Sequence, residues 1–467
     1  MTNPKSIDDR FDALQYRIKE LEKQLSGYRS LVTENQFLRN YIAVLEERLS
    51  KYENPKNSSN SNMPPSSDFP RQQKTNNLRK PSGKKPGGQF GHKGNTLKMV
   101  ESVGIVEEHR SSYCTKCGKD ISQLPSELVG KRQVIDIPPI RPIVTEHRIY
   151  KRVCTCGHCN EGTFPDGVNA PVSYGTGVQS MVAYLNARHY VPVARSAEFF
   201  NHIFNIPIST GGICYLLKKA KQKALPVYEA IRQFVLNQTV IGGDETGVNI
   251  NGKNNWAWVF QNPKATYIAI QESRGFKAIN DIMPEGFRKN ILVTDCWPAY
   301  FKTGALSHQL CTAHLQRELK YFNQCYPENT WVTRLAALIE NALDLHRGNK
   351  LTPDKVNEIC RTFTVLIQEP VTTKNIKELI AFQKRMVKYQ DYVFGFLYQP
   401  DLTPDNNGSE RAIRNFKIKL KTSGFFKSFD GASIYAIIRS IIDTAIKNGQ
   451  NPYHAMQILA LNVCPTE

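Results

Sequence analysis

The chain has 467 residues, 61 of them lysine or arginine against 42 aspartates and glutamates, and its net charge of +19 favours a polyanionic partner through release of phosphate counterions. No apolar run approaches the roughly 20 residues of a membrane span, and the polar start from Met1 to Arg10 lacks a signal peptide's apolar stretch, which excludes a membrane protein and leaves the cytoplasm, or the bacterial nucleoid when bound, as the expected location. Such a length is too great for one ordinary core, so a multidomain α/β protein is expected.

From Phe11 to Tyr52 apolar residues recur at spacings of three and four: Phe11, Leu14, Ile18, Leu21, Leu25, Tyr28, then Leu31, Asn35, Leu38, Ile42, Leu45, Leu49 and Tyr52. This heptad seam predicts a coiled coil over 1–52, and Asn35 on the seam favours a dimer, so self-association is expected. An amphipathic helix packed on its own domain is the competing reading. Charge is unevenly placed, because residues 1–52 hold nine basic and eight acidic side chains whereas residues 69–100 hold eight basic and none acidic. Residues 53–100 are rich in Pro, Ser, Asn, Gly and Lys and are read as a flexible basic arm. There Arg79, Lys80, Lys84, Lys85 and Lys93 suit a phosphate backbone or a minor groove, unless the arm is only a solubilising linker.

Five of the eleven cysteines fall between Cys114 and Cys159. Cys114-x2-Cys117 and, 38 residues on, Cys156-x2-Cys159 are joined by strand-like sequence at Val134–Ile137 and Ile143–Val153, predicting a zinc-ribbon-like unit over 101–172 with one structural Zn²⁺. Cys154 is an alternative ligand. The isolated Cys214, Cys325, Cys360 and Cys464 are read as buried small apolar residues. Residues 173–237 predict a helical, helix-turn-helix-like DNA-binding unit with short segments at Val178–His189, Val193–Phe204 and Ser209–Leu217, the last the reading helix and capped by Ser209 or Thr210; a small bundle that never touches DNA would read the same way.

Residues 238–467 change to strands: Thr239–Gly243 leading to Asp244, Trp256–Gln261, Thr266–Ile270, a helix near Gly275–Ile282, and Ile291–Thr294 before Asp295. Three meandering strands, a helix and a fourth strand is the ribonuclease-H-like order, with the first and fourth strands side by side, which makes Asp244 and Asp295 neighbours. Paired carboxylates suit Mg²⁺ or Mn²⁺, and two ions per site suit in-line substitution at phosphorus. A third ligand is offered by Glu410, in the first turn of a helix begun by Asn406-Asn407-Gly408-Ser409, with Arg411, Arg414, Lys417, Lys419 and Lys421 after it; a plain helical ion pair is the alternative for that glutamate. Glu245 competes with Asp244, since neighbours on a strand face opposite sides.

The ordered motifs Lys85-Pro86-Gly87-Gly88-Gln89, Asp244-Glu245-Thr246-Gly247, Thr294-Asp295-Cys296-Trp297-Pro298-Ala299-Tyr300, Cys311-Thr312-Ala313-His314-Leu315 with Arg317-Glu318-Leu319, and Asn406-Asn407 with Glu410-Arg411-Ala412-Ile413-Arg414 resemble those of the insertion sequence 66 family of transposases. The resemblance implies a ribonuclease-H-like domain with a helical insertion at about 302–404 before the final glutamate. It implies Asp244, Asp295 and Glu410 as catalytic metal ligands, choosing Asp244 over Glu245, and Cys311 and His314 as an accessory motif. Arg411, Arg414, Lys417 and Lys421 are then expected against DNA.

The function expected is binding of the element's terminal inverted repeats with metal-dependent cleavage and strand transfer into target duplex DNA, with accessory proteins of the same element as candidate partners. A structure-specific nuclease or resolvase on the same scaffold, and a zinc-dependent DNA-binding regulator without catalysis, are the alternatives.

Overall fold

The computed structural model describes residues 7–57, 60–61, 91–94, 96–138, 140–165, 168–371 and 376–461. These residues divide into two compact units, one drawn from 1–76, 164–198 and 208–467 and the other from 77–163 and 199–207. Arg79, Lys80, Lys84, Lys85 and Cys464 lie outside the described residues, whereas Lys93 is described and exposed.

Helix α1 (Ile7–Glu53) runs unbroken for 47 residues. Its apolar seam is uncovered: Phe11 is 58% exposed, Leu25 51% and Tyr52 86%. An amphipathic helix docked along its own domain would have hidden these side chains, so only the C-terminal end is seated, with the Ser50 hydroxyl donating to the Cys325 carbonyl at 2.6 Å and the Asn60 amide to Gln324 Oε1 at 2.7 Å. No helix among the described residues is long and apolar enough to cross a membrane.

The cysteine-rich unit has little regular structure. Strand β1 (Lys151–Val153) pairs antiparallel with β2 (Cys159–Glu161), and the expected strand at Val134–Ile137 is irregular, as is most of Ile143–Val153. Pro138 and Pro142 sit between those two stretches and remove ladder donors. Ile105, Val129, Val134 and Ile143 are at least 80% exposed, so apolar burial contributes little to this unit.

Helices α2 (Thr176–Ala187), α3 (Val193–Ile203) and α4 (Thr210–Leu236) follow, with left-handed Tyr190 and Asn205 in the turns. Ser209 caps α4 as expected, accepting the Gly212 N–H at 3.1 Å. The helix does not stop near Leu217 but passes Pro226, because Ile213, Leu216, Leu217, Ala220, Ala224, Ile231 and Val235 keep one buried stripe on both sides of the proline. Residues 173–237 therefore do not stand apart as expected: Tyr228 stacks on Tyr267 at 4.5 Å and donates to the Ile268 carbonyl, and Tyr184 meets Tyr453 at 5.2 Å.

Strands β3 (Val240–Ile250), β4 (Lys253–Gln261) and β5 (Thr266–Gln271) form an antiparallel meander, its first turn made by Asn251 and Gly252 with φ of 48° and 79°. After α5 (Phe276–Ile282), β6 (Ile291–Thr294) returns parallel to β3, and β7 (Ser307–Leu310) lies parallel to β6, giving the order β5-β4-β3-β6-β7. The region expected to be helical from about residue 302 thus first supplies a fifth strand. Helices α6 (Thr312–Cys325), α7 (Thr330–Arg347), α8 (Pro353–Gln368) and α9 (Lys377–Lys388) then build a core around Trp331, Leu335, Ile339, Phe363, Phe382 and Met386. The chain returns through α10 (Asn407–Ser423), α11 (Phe429–Lys447) and α12 (Pro452–Ala460).

Helix α10 approaches β3 closely because the contact is lined by glycine. A Cβ on Gly242 would stand 2.7 Å from Asn406 Oδ1 and 2.8 Å from Ser409 Oγ, two short, buried side chains bonded to each other. Gly242→Ala is expected to lower unfolding free energy by about 1–3 kcal/mol in urea, the reverse of what alanine does at an unconstrained strand glycine.

Candidate active site

The parallel register pairs Gly242 with Val293, and two residues further along each strand stand Asp244 and Asp295. Backbone pairing alone therefore makes these carboxylates neighbours, as the strand order predicts. Burial holds the Asp244 carboxyl well above the usual carboxylate range, and the charges of Glu245, Asp295 and Glu410 push the same way. Asp295 is raised first by burial and then by Glu245, while His314, the Trp297 N–H and Arg274 pull it back.

Glu410 reaches this corner from the first turn of α10. Asn406, expected simply to start that helix, does something more specific: its amide donates to the Gly243 carbonyl at 2.6 Å, its Oδ1 accepts the Ser409 hydroxyl at 2.6 Å, and its backbone N–H points to Cys311 Sγ at 3.2 Å. The helix start is thus pinned to the strand that carries Asp244. Glu410 Oε1 accepts from Arg317 at 3.0 Å and stands 3.7 Å from His314 Nε2. Lys417, two turns on, feels both Asp244 and Glu410, whereas Arg411, Arg414 and Lys421 are exposed.

Two expected residues are placed differently. Lys419 is buried, and its ammonium donates to the carbonyls of Asn186, Tyr190 and Val191, so it is spent inside the fold and not on phosphate; desolvation lowers it to about 8. Among the isolated cysteines, Cys325 is buried and Cys360 half-buried, but Cys214 is exposed because it falls off the buried stripe of α4.

The side chains of Cys311 and His314 face different groups, the Cys311 sulfur the Asn406 N–H and His314 Nε2 the Glu410 carboxylate. Burial pushes the Cys311 thiol up to about 12 while its sulfur accepts the Asn406 N–H, and His314 is lowered to about 4 by burial and then by Arg317.

Glu245 faces another set of partners. Its side chain is 1% exposed, paired with Arg274 at 2.7 Å and accepting the Tyr300 hydroxyl at 2.5 Å. Strand alternation hinted that Glu245 points elsewhere, but nothing in its spacing reveals Arg274 or Tyr300 as partners. Arg317 and the Arg385 ion pair with Glu318 are further cationic groups from the helical insertion that spacing did not single out.

Among the described residues Asp244 and Asp295 have no cationic ion-pair partner of their own, although Glu245 and Glu410 do. Hard oxygen ligands pressed together without a direct ion pair fit a divalent cation. As placed, however, no three His, Cys, Asp or Glu side chains among the described residues close around one metal position.

The clustered cysteines sit on two turns, the second one residue shorter than the first. In the first, Cys114 N–H donates to the Lys119 carbonyl at 2.8 Å and Gly118 N–H to the Cys114 carbonyl at 2.8 Å; in the second, Cys154 N–H donates to His158 at 2.8 Å and Gly157 N–H to Cys154 at 2.9 Å. Gly118 and Gly157 are both left-handed, at φ of 70° and 85°. Cys156 thus corresponds to Cys117, each directly preceding its left-handed glycine, while Cys154 begins a turn one residue shorter than the one Cys114 begins and Cys159 opens β2.

A family model for IS66 transposases matches residues 171–434, which span both strands, the insertion and Glu410. The chain belongs to the IS66 transposase family. The model for the zinc-finger binding domain of IS66 transposases matches residues 111–159, covering all five clustered cysteines, and a family of unknown function, DUF6444, matches residues 1–98. No curated protein matches the chain. A transposase of this family is a DNA-processing enzyme with a zinc-finger region, and the net charge of +19 suits that substrate.

Because the folded state favours protonated Asp244, its contribution to stability is fully present below the unfolded value and is lost as pH rises through the raised folded value. Asp244→Asn is accordingly expected to stabilise chelator-treated protein at neutral pH, with the gain shrinking on acidification and vanishing near the ordinary aspartate value of about 3.9. Urea unfolding across that pH range checks this, and a gain independent of pH would contradict it.

Proposed function

We propose that the chain binds the terminal inverted repeats of its insertion sequence, cleaves a phosphodiester at each end and joins the freed ends to target DNA at a single Asp244–Asp295–Glu410 centre on a ribonuclease-H-like scaffold. The observation that carries this reading is the β3/β6 register, which sets two carboxylates without a direct ion-pair partner among the described residues beside a helix-borne third. Bound Mg²⁺ or Mn²⁺, two ions in the family's scheme, would supply Lewis-acid stabilisation of the attacking and leaving oxygens. The protein's own contribution is positional. Asn406 fixes the start of α10 against β3, so Glu410 is brought to Asp244 by backbone contacts, and Lys417 adds a cation on the side where phosphate arrives. Exposed Arg411, Arg414 and Lys421 extend that basic face along α10.

The bare seam of α1 supports self-association, since a second copy of the same seam buries what this chain leaves in water. The exposed start of α4, with Tyr215 and Lys218, is available to DNA in a helix-turn-helix role, and Lys93 and the arm to its phosphates.

Asp244→Asn, Asp295→Asn and Glu410→Gln should each bind labelled element ends within about twofold of the parent yet lose cleavage and joining by at least about 10³-fold. A purified variant that still joins ends would remove that residue from the centre. Parent protein that cuts branched DNA but never yields joined product would instead favour a nuclease or resolvase.

For the zinc-finger region we infer tetrahedral thiolate coordination by Cys114, Cys117, Cys154 and Cys156, since in each turn a cysteine opens the loop and a second cysteine precedes its left-handed glycine. Cys154→Ser is then expected to lose bound zinc, and Cys159→Ser to retain one equivalent per chain, in a metal-release titration; the opposite pattern would restore Cys156 and Cys159 as the second pair.

A further inference from the structure

Beside the carboxylate corner lies a second constellation that the metal-ligand reading does not use. Glu245 is buried, and its two oxygens are spoken for separately: Oε1 accepts Arg274 Nε at 2.7 Å and faces NH2 at 2.7 Å, while Oε2 accepts the Tyr300 hydroxyl at 2.5 Å. The guanidinium is also held by rings, 3.9 Å from the Trp297 centroid and 5.0 Å from that of Trp256. Trp297 is fixed in turn, its indole N–H donating to the Arg274 carbonyl at 3.1 Å and its backbone N–H to Asp295 Oδ1 at 2.9 Å. Arg274 is therefore tied, through one tryptophan, to a proposed metal carboxylate.

Two features separate this arrangement from an ordinary internal ion pair. The Arg274 side chain is 36% exposed although its carboxylate partner is 1% exposed, and NH1 carries no hydrogen bond among the described residues. The cation is thus anchored along one edge, clamped on its faces and open along the other edge. A planar guanidinium held this way loses little further freedom on meeting a phosphate, and its remaining donors match non-bridging phosphate oxygens. Were its role only to neutralise Glu245, neither the open edge nor the link to Asp295 would be needed.

We propose that Arg274 is a DNA contact of this enzyme, its free edge taking a phosphate oxygen of the strand that enters the Asp244–Asp295 corner, with Glu245, Tyr300 and Trp297 as positioning residues. The proposal rests on that corner being the cleavage centre. It assigns the tryptophans to orienting the cation and Glu245 to a task distinct from metal binding, which accounts for a carboxylate being retained one residue from Asp244.

The test measures binding of the full chain to a labelled duplex carrying an element end as salt is varied, together with end cleavage. Losing one phosphate contact lowers the log–log salt slope by about 1, and Arg274→Gln should show that loss along with reduced cleavage, while Arg274→Lys keeps the charge without the fork and recovers the slope in part. Since Arg274→Gln alone leaves Glu245 buried without its counter-ion, the double variant Glu245→Gln/Arg274→Gln, which retains an amide pair, separates misfolding from lost contact and should show the same reduced slope. A double variant that melts with the parent and keeps the parental slope overturns the proposal. Asp244→Asn on the same DNA reports on the centre itself: cleavage surviving there while Arg274→Gln loses its slope would discard the centre and leave the contact standing.

Discussion

The folded chain is organised around an electrostatic problem. Asp244, Glu245, Asp295 and Glu410 are brought within one another's fields at the junction of two parallel strands and a helix, where little water remains to screen them. Glu245 and Glu410 are answered by arginines that arrive from the β5–α5 connection and from α6, whereas among the described residues neither aspartate has a direct ion-pair partner. Much of the surrounding architecture serves to impose this proximity against its natural repulsion: glycines at 242 and 408 that let backbone and helix close together, and an asparagine whose amide reaches across to the Gly243 carbonyl.

The insertion between β7 and α10 belongs to the same solution. Its apolar core is continuous with the sheet through Ile291, Val293 and Leu310, and its first helix sends Arg317 and His314 back to Glu410, while α9 sends Arg385 to Glu318 on that same helix. A helical module that merely lengthened the loop would have no reason to place cations there. In position and chemistry it forms one wall of the corner, so the interruption of the sheet domain and the completion of its site are one structural event.

Much of this was legible in the residues. The Val240–Gly243 and Ile291–Thr294 runs read as strands, their order required adjacency, and the register delivers it. Helix α1 was readable because its heptads are long and local, and Ser209 because a cap is a one-turn interaction. What escaped prediction depends on partners distant in sequence. Glu245 and Arg274 are separated by the whole meander, and Cys311 and Asn406 by the entire insertion. β7 is only four residues long, too short for a periodic signal, and α4 overran its expected end because burial on both sides of Pro226 outweighed the local penalty of the proline. The strand reading of Val134–Ile137 failed for the opposite reason, since β-branched residues were present but among the described residues no neighbouring strand pairs with them.

The placing of Glu410 after the insertion has a consequence for biosynthesis. The aspartates and their strands leave the ribosome well before α10, and the asparagine that pins the helix is made only after four insertion helices. A nascent or prematurely terminated chain can build most of the sheet yet cannot complete the carboxylate set. Any DNA it meets during synthesis encounters a basic protein whose proposed carboxylate centre is unfinished, and that set closes only once α10 has been made.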